Sequence, residues 1–70
     1  MSKILTKREK EIFNLLIKNK STKEISKKFK ISEKTIRNHI SNVIQKLSVN
    51  SRATAVVELI KLKEIDIYNE

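Results

Sequence analysis

Glycine, proline, cysteine and tryptophan are all absent from this 70-residue chain, and histidine occurs once. Without cysteine there is no disulfide, no thiolate nucleophile and no thiolate metal site. Without glycine there is no phosphate-cradling glycine loop and no dinucleotide fingerprint. The lone His39 cannot build an HExxH zinc site, and a Ser-His-Asp set exists in composition only, with nothing to position it. Aromatic residues amount to two Phe and one Tyr. Phe13 and Phe29 read as core, which leaves only Tyr68 to stack on single-stranded nucleic acid. No apolar run approaches a membrane span, and Met1-Ser2-Lys3 does not lead into a signal-peptide core, so a cytoplasmic protein is expected.

Negative charge is also scarce. Sixteen Lys and Arg stand against eight Asp and Glu, a net charge of +8. That excess draws polyanions, although a merely solubilising surface would show it too. An acidic membrane is a weaker match, because the apolar residues divide into several helices rather than one long amphipathic strip. Seventy residues leave room for one domain, spanning 1–70, with one small core. Such a chain buries little more than half of its unfolded surface, and without covalent staples it must rely on helix packing.

What is present reads as an all-α chain of four helices, about residues 6–18, 22–29, 33–47 and 52–63, with an acidic tail at 64–70. Thr6-Lys-Arg-Glu9 and Ser21-Thr-Lys-Glu24 are capping boxes that open the first two. Asn19 takes the place of a left-handed glycine after the first. Ser32 caps the third helix, and Asn50 or Ser51 the fourth. Glu9 and Glu24 are thereby occupied as caps rather than as a paired-carboxylate acid/base site.

At about 100° per residue, Ile36, Ile40, Val43, Ile44 and Leu47 gather on one side of the third helix. Lys34, Arg37, Asn38, Ser41 and Gln45 gather on the other, with no acid among them. Arg37 has the fork that grips guanine, and Asn38 and Gln45 the amides that pair with adenine. Lys34 and Ser41 suit phosphates or base edges. A short helix, a brief turn and a longer helix with such a face match helix-turn-helix geometry. The start of the third helix offers free amides to a phosphate, which Glu33 opposes slightly. His39, at the edge of the core face, reads as packing rather than as a metal ligand, since no second ligand is in sight.

Leu5-Thr-Lys-Arg-Glu9, Thr22-Lys-Glu-Ile25, Ile31 to His39, Lys46-Leu-Ser-Val49 and Arg52 together resemble the LuxR/GerE family of DNA-binding domains. The resemblance covers about Leu5 to Leu62. Ser32-Glu-Lys-Thr, Arg37-Asn-His-Ile-Ser-Asn42 and Ala55-Val-Val-Glu-Leu59 are similar to the pattern of its free-standing sporulation regulators. It implies a four-helix helix-turn-helix domain whose third helix enters the major groove, whose fourth supports dimerisation, and which controls transcription without a sensor domain or cofactor. The base-reading positions then fall on Arg37, Asn38 and Ser41, and the phosphate contacts on Thr22, Lys23, Lys27, Thr35, Lys46 and Arg52. The chain departs from the family pattern at Asn19, where glycine is usual, and at Ser26, where alanine is. The lysine or arginine that some members carry at Ser41 is missing, which implies a different site preference.

Helix four has two apolar stripes. Ala53, Val56, Val57 and Ile60 are expected to cover the core. Ala55, Leu59 and Leu62 are expected to meet a second copy, unless Ile65 or Ile67 folds back over them. The expected partners are duplex DNA, a second copy of the chain and, for an activator, RNA polymerase, with no cofactor. Two rival readings are a basic module that binds protein more than DNA and, more distantly, an enzyme, for which no nucleophile-base pair or metal set is present.

Overall fold

The computed structural model describes residues 4–65, so Ile67 and Tyr68 lie outside the described residues. Four helices follow one another: α1 (Lys7–Ile17), α2 (Thr22–Phe29), α3 (Glu33–Leu47) and α4 (Arg52–Lys61). No strand occurs among the described residues. None of these helices is long and apolar enough to cross a membrane.

Each helix begins where a short hydroxyl side chain meets a free backbone amide. Thr6 accepts the Glu9 amide while the Glu9 carboxylate accepts the Thr6 amide, and Ser21 and Glu24 repeat the arrangement. Both capping boxes are therefore complete. Ser32 accepts the amide of Thr35, and Ser51 that of Thr54, so Ser51 and not Asn50 caps α4. Each such cap contributes about 1 kcal/mol.

The helix ends show how a chain without glycine reverses direction. Asn19, Lys30, Ser48 and Lys63 all have positive φ, between 56° and 68°. The residue after each donates its amide five residues back: Lys20 to Leu15, Ile31 to Ser26, Val49 to Ile44 and Glu64 to Leu59. This bond closes the Schellman turn, which most helices build around glycine. Asn19 was legible as such a residue. The two lysines and the serine were not, because nothing in their chemistry favours the left-handed region.

The core draws on every element. Ile12 and Phe13 of α1, Ile25 of α2, Ile36, Ile40 and Val43 of α3, and Ala55 and Leu59 of α4 are all buried. Leu5 and Ile65 close it from the two ends. Burial of each large side chain is worth about 1.5–3 kcal/mol.

Helix α4 is turned differently from the sequence expectation. Ala55 and Leu59, expected at a dimer face, have no exposed surface, while Val57, expected in the core, is 52% exposed. Ala53 is exposed as well, and Val56 and Ile60 are half-buried. Of the expected dimer stripe only Leu62 remains exposed. The alternative, a covering supplied by the chain itself, is what occurs. The reversal at Lys63 brings Ile65 into the same core cluster as Ala55 and Leu59.

The left-handed residues lead to a stability test. Ser48→Gly or Lys63→Gly removes a β-carbon clash of about 1–2 kcal/mol at the cost of some unfolded-state entropy, a net gain of about 0.5–1 kcal/mol. Thermal unfolding should shift up by about 3–6 °C for each substitution. Glycine at Asn19 should give less, because asparagine already tolerates this conformation.

Candidate nucleic-acid interface

Helix α2 and helix α3 are joined by Lys30, Ile31 and Ser32, a turn set by the left-handed Lys30 and by the Ser32 cap. Ile25 and Ile36 are buried between the helices, which fixes how α3 lies on α2. With Ile36, Ile40 and Val43 turned inward, the opposite side of α3 has to face solvent. Lys34, Arg37, Asn38, Ser41 and Gln45 are all exposed there, as the sequence periodicity requires. Asn42, which the wheel did not single out, is exposed beside them.

Lys23, Lys27 and Arg52 are also exposed. Thr22 and Arg52 are the first residues of α2 and α4, so their amides have no acceptor within the helix. Thr22 turns its hydroxyl elsewhere, donating to Glu33 Oε1 at 3.2 Å. The Thr35 hydroxyl is 3.0 Å from that of Ser32 and shares a hydrogen bond with it. The Thr22 hydroxyl is not spare, which leaves the backbone amide as the group Thr22 can offer an anion.

Lys46 departs from its expected place. Its ammonium donates to the buried Glu9 carboxylate and to the Ile4 carbonyl, tying the end of α3 to the start of α1. The side chain stays 35% exposed, but its charge is already paired with an acid of the same chain, which weakens the case for Lys46 as a phosphate contact. Nothing local in the sequence announces this pair, since 37 positions separate the two residues.

Glu9 is the buried acid of the core. Burial pushes its carboxyl up, but hydrogen bonds from Lys46 and Thr6 and the charge of Lys46 together hold it below its ordinary value of 4.5. The Glu24 carboxyl is lowered as well, chiefly by the Ser21 amide.

Glu33, expected from the sequence only to oppose a phosphate slightly at the start of α3, has two partners. Besides the Thr22 hydroxyl, its Oε1 meets Arg37 Nη1 at 3.5 Å, one turn along the polar side of α3. The spacing of four residues between Glu33 and Arg37 was a visible signal for that contact. Behind α2, the Arg8 guanidinium lies 4.2 Å over the Phe29 ring, which fixes Phe29 as packing. His39 is half-buried, and among the described residues no three His, Cys, Asp or Glu gather to hold a metal.

Comparison with known proteins agrees with this geometry. The GerE family model, bacterial regulatory proteins of the luxR family, matches residues 3–59. The spore germination protein GerE of Bacillus subtilis is 56% identical over 64 residues, covering 91% of this chain and 86% of that protein. The transcriptional regulatory protein DegU of Brevibacillus brevis is 50% identical over 58 residues, covering 83% of this chain but 25% of that longer protein. A solved structure of the transcription factor GerE superposes with a TM-score of 0.91 at 56% identity, covering 94% of this chain and 98% of that one.

The Glu9–Lys46 pair gives a prediction with a definite sign. A carboxyl whose pKa is lower folded than unfolded stabilises the fold above the unfolded value and loses that contribution as pH falls through the folded value. Stability should therefore decline on acidification below about pH 4.5, the ordinary value. Glu9→Gln should flatten that decline and cost about 2–3 kcal/mol at neutral pH, measured by urea unfolding. Lys46→Met should destabilise comparably yet leave the salt dependence of DNA binding unchanged. A slope lower by about one unit would return Lys46 to the phosphate contacts.

Proposed function

This chain belongs to the luxR family of bacterial regulatory proteins, and from that premise we propose that it binds inverted DNA half-sites as a dimer, with α3 in the major groove. It is a DNA-binding transcription regulator of the GerE type. One observation carries the finer reading: the polar face of α3 stands wholly exposed opposite the buried Ile36, Ile40 and Val43. In this reading Arg37, Asn38 and Ser41 reach base edges, while Lys23, Lys27, Lys34, Arg52 and the α2 amide at Thr22 hold phosphates. Thr35 supports the cap between them. A role in spore-forming cells is part of this reading, supported by the similarity to the spore germination protein of Bacillus subtilis.

The dimer contact is reassigned along with the rotation of α4. Ala53 and Val57 are exposed, and Val56 and Ile60 are half-buried beside them. That stripe, and not Ala55 and Leu59, is the face of α4 available to a second copy. Pairing about a two-fold axis through it would set two recognition helices about 34 Å apart, one DNA turn. A surface of this size pairs weakly, so DNA is the template on which the dimer forms. For an activator, RNA polymerase is the second protein partner.

Two substitutions test the reading on duplexes selected from random sequence. Arg37→Ala should cost about 1–3 kcal/mol on the selected site and relax preference at one base, with a much smaller effect on random DNA. Equal losses on both would remove Arg37 from base reading. Val57→Lys places like charges across the proposed axis and leaves the core intact. It should weaken binding to a palindromic site at least tenfold more than binding to a half-site, since a tenfold change corresponds to about 1.4 kcal/mol of lost coupling. Equal binding to the two sites would rule out dimerisation through this face.

A further inference from the structure

The carboxylate at the start of α3 is the unexpected member of the interface, because an acid facing a polyanion weakens attraction of every kind. Its surroundings give it a different use. Glu33 Oε1 takes the Thr22 hydroxyl at 3.2 Å and lies 3.5 Å from Arg37 Nη1, so one oxygen links the first residue of α2 to the guanidinium one turn along α3. Arg37 and Glu33 keep 60% and 42% of their side-chain surface exposed, which excludes this pair as a significant support of the fold.

An exposed arginine beside duplex DNA has two kinds of acceptor. Phosphate oxygens occur on every sequence, whereas the guanine edge occurs only at particular positions. An unrestrained arginine side chain samples many rotamers and takes whichever acceptor is nearer. A carboxylate one turn back restrains the fork and repels phosphate from the same space. The Thr22 hydroxyl in turn restrains the carboxylate, and Thr22 belongs to the other helix of the motif. Glu33 is also in the first turn of α3, where the helix dipole favours a negative charge.

We propose that Glu33 is a positioning residue that sets sequence specificity: it holds the Arg37 guanidinium for a base edge and withholds it from phosphates. The inference rests on the reading of Arg37 as a base-contacting residue. Glu33 therefore raises the ratio of specific to non-specific binding, mainly by weakening the non-specific part.

The test uses the full chain, its selected duplex and a random duplex, each titrated at several salt concentrations. Glu33→Gln keeps the size of the side chain and removes its charge. It should lower the specific-to-random ratio by about two- to threefold, mostly through tighter binding to random DNA. The salt slope on random DNA should steepen by up to about one unit as Arg37 takes a phosphate. Thr22→Val should shift the ratio in the same direction by less, and Thr22→Ser should restore it. In an Arg37→Ala background, Glu33→Gln should leave the ratio unchanged, because the group it acts through is gone.

A fall in the ratio of the same size with and without Arg37 would overturn the inference and make Glu33 a base contact in its own right. An unchanged ratio in Glu33→Gln, where Arg37→Ala alone collapses it, would overturn the inference and leave the reading of Arg37 intact. An unchanged ratio in Arg37→Ala would take down that reading, and the inference with it. Thermal unfolding of each variant separates these outcomes from loss of the fold.

Discussion

The Glu9 carboxylate accepts the amide of Thr6 on its own helix and the ammonium of Lys46 from the far end of α3, and Lys46 also reaches the Ile4 carbonyl. Three stretches of chain are thereby held by one buried acid. The pair matters because the face of α3 left open to solvent is defined by the face that is buried. Ile36, Ile40 and Val43 set the rotation of α3 against the core, and Lys46 pins its last turn to α1. Removing Lys46 would strand the buried Glu9 charge beside apolar side chains, which is why such a pair is costly to break even where making it gains little.

The same economy governs two further acids, Glu24 and Glu33, though not Glu64, whose Oε1 is buried without a hydrogen-bond partner among the described residues. Glu9 and Glu24 are turned back onto backbone amides as caps, and Glu33 onto Thr22 and Arg37. The acids that could cancel the basic excess near the helix-turn-helix unit are thus engaged internally. The lysines at 23, 27 and 34 and the arginine at 52 are left facing solvent. A net charge of +8 is distributed by these contacts as well as by composition. A positive surface of this kind attracts polyanions.

A small domain of this kind has few ways to reverse direction, and this one does so without glycine. All four helices end on a left-handed residue with a β-carbon, followed by an amide bonded five residues back. At two of these ends the following residue, Ile31 or Val49, packs against the core and offsets the strain. At the last, the turn serves the fold by returning Ile65 over Ala55 and Leu59.

Most of what depends on residues within about four positions of one another was legible in the sequence, the left-handed turns at Lys30, Ser48 and Lys63 and the Glu33–Arg37 contact excepted. The capping boxes, the Asn19 reversal, the helix-turn-helix spacing and the two faces of α3 are set by local hydrogen-bond geometry and by a clean 3.6-residue period. The site inherits that legibility, because its residues lie opposite an unambiguous apolar stripe. The rotation of α4 was not legible. Ala53, Ala55, Val56, Val57, Leu59 and Ile60 occupy more than half of its circumference, so the period selects no single inward direction, and the choice falls to Ile65 and to packing on α3. The partner of Lys46 was equally hidden, because proximity to Glu9 arises only once α1 and α3 have packed. Local chemistry determined the helices and the recognition surface; tertiary packing, which alone brings distant residues together, decided which charges remain free and which apolar face remains open.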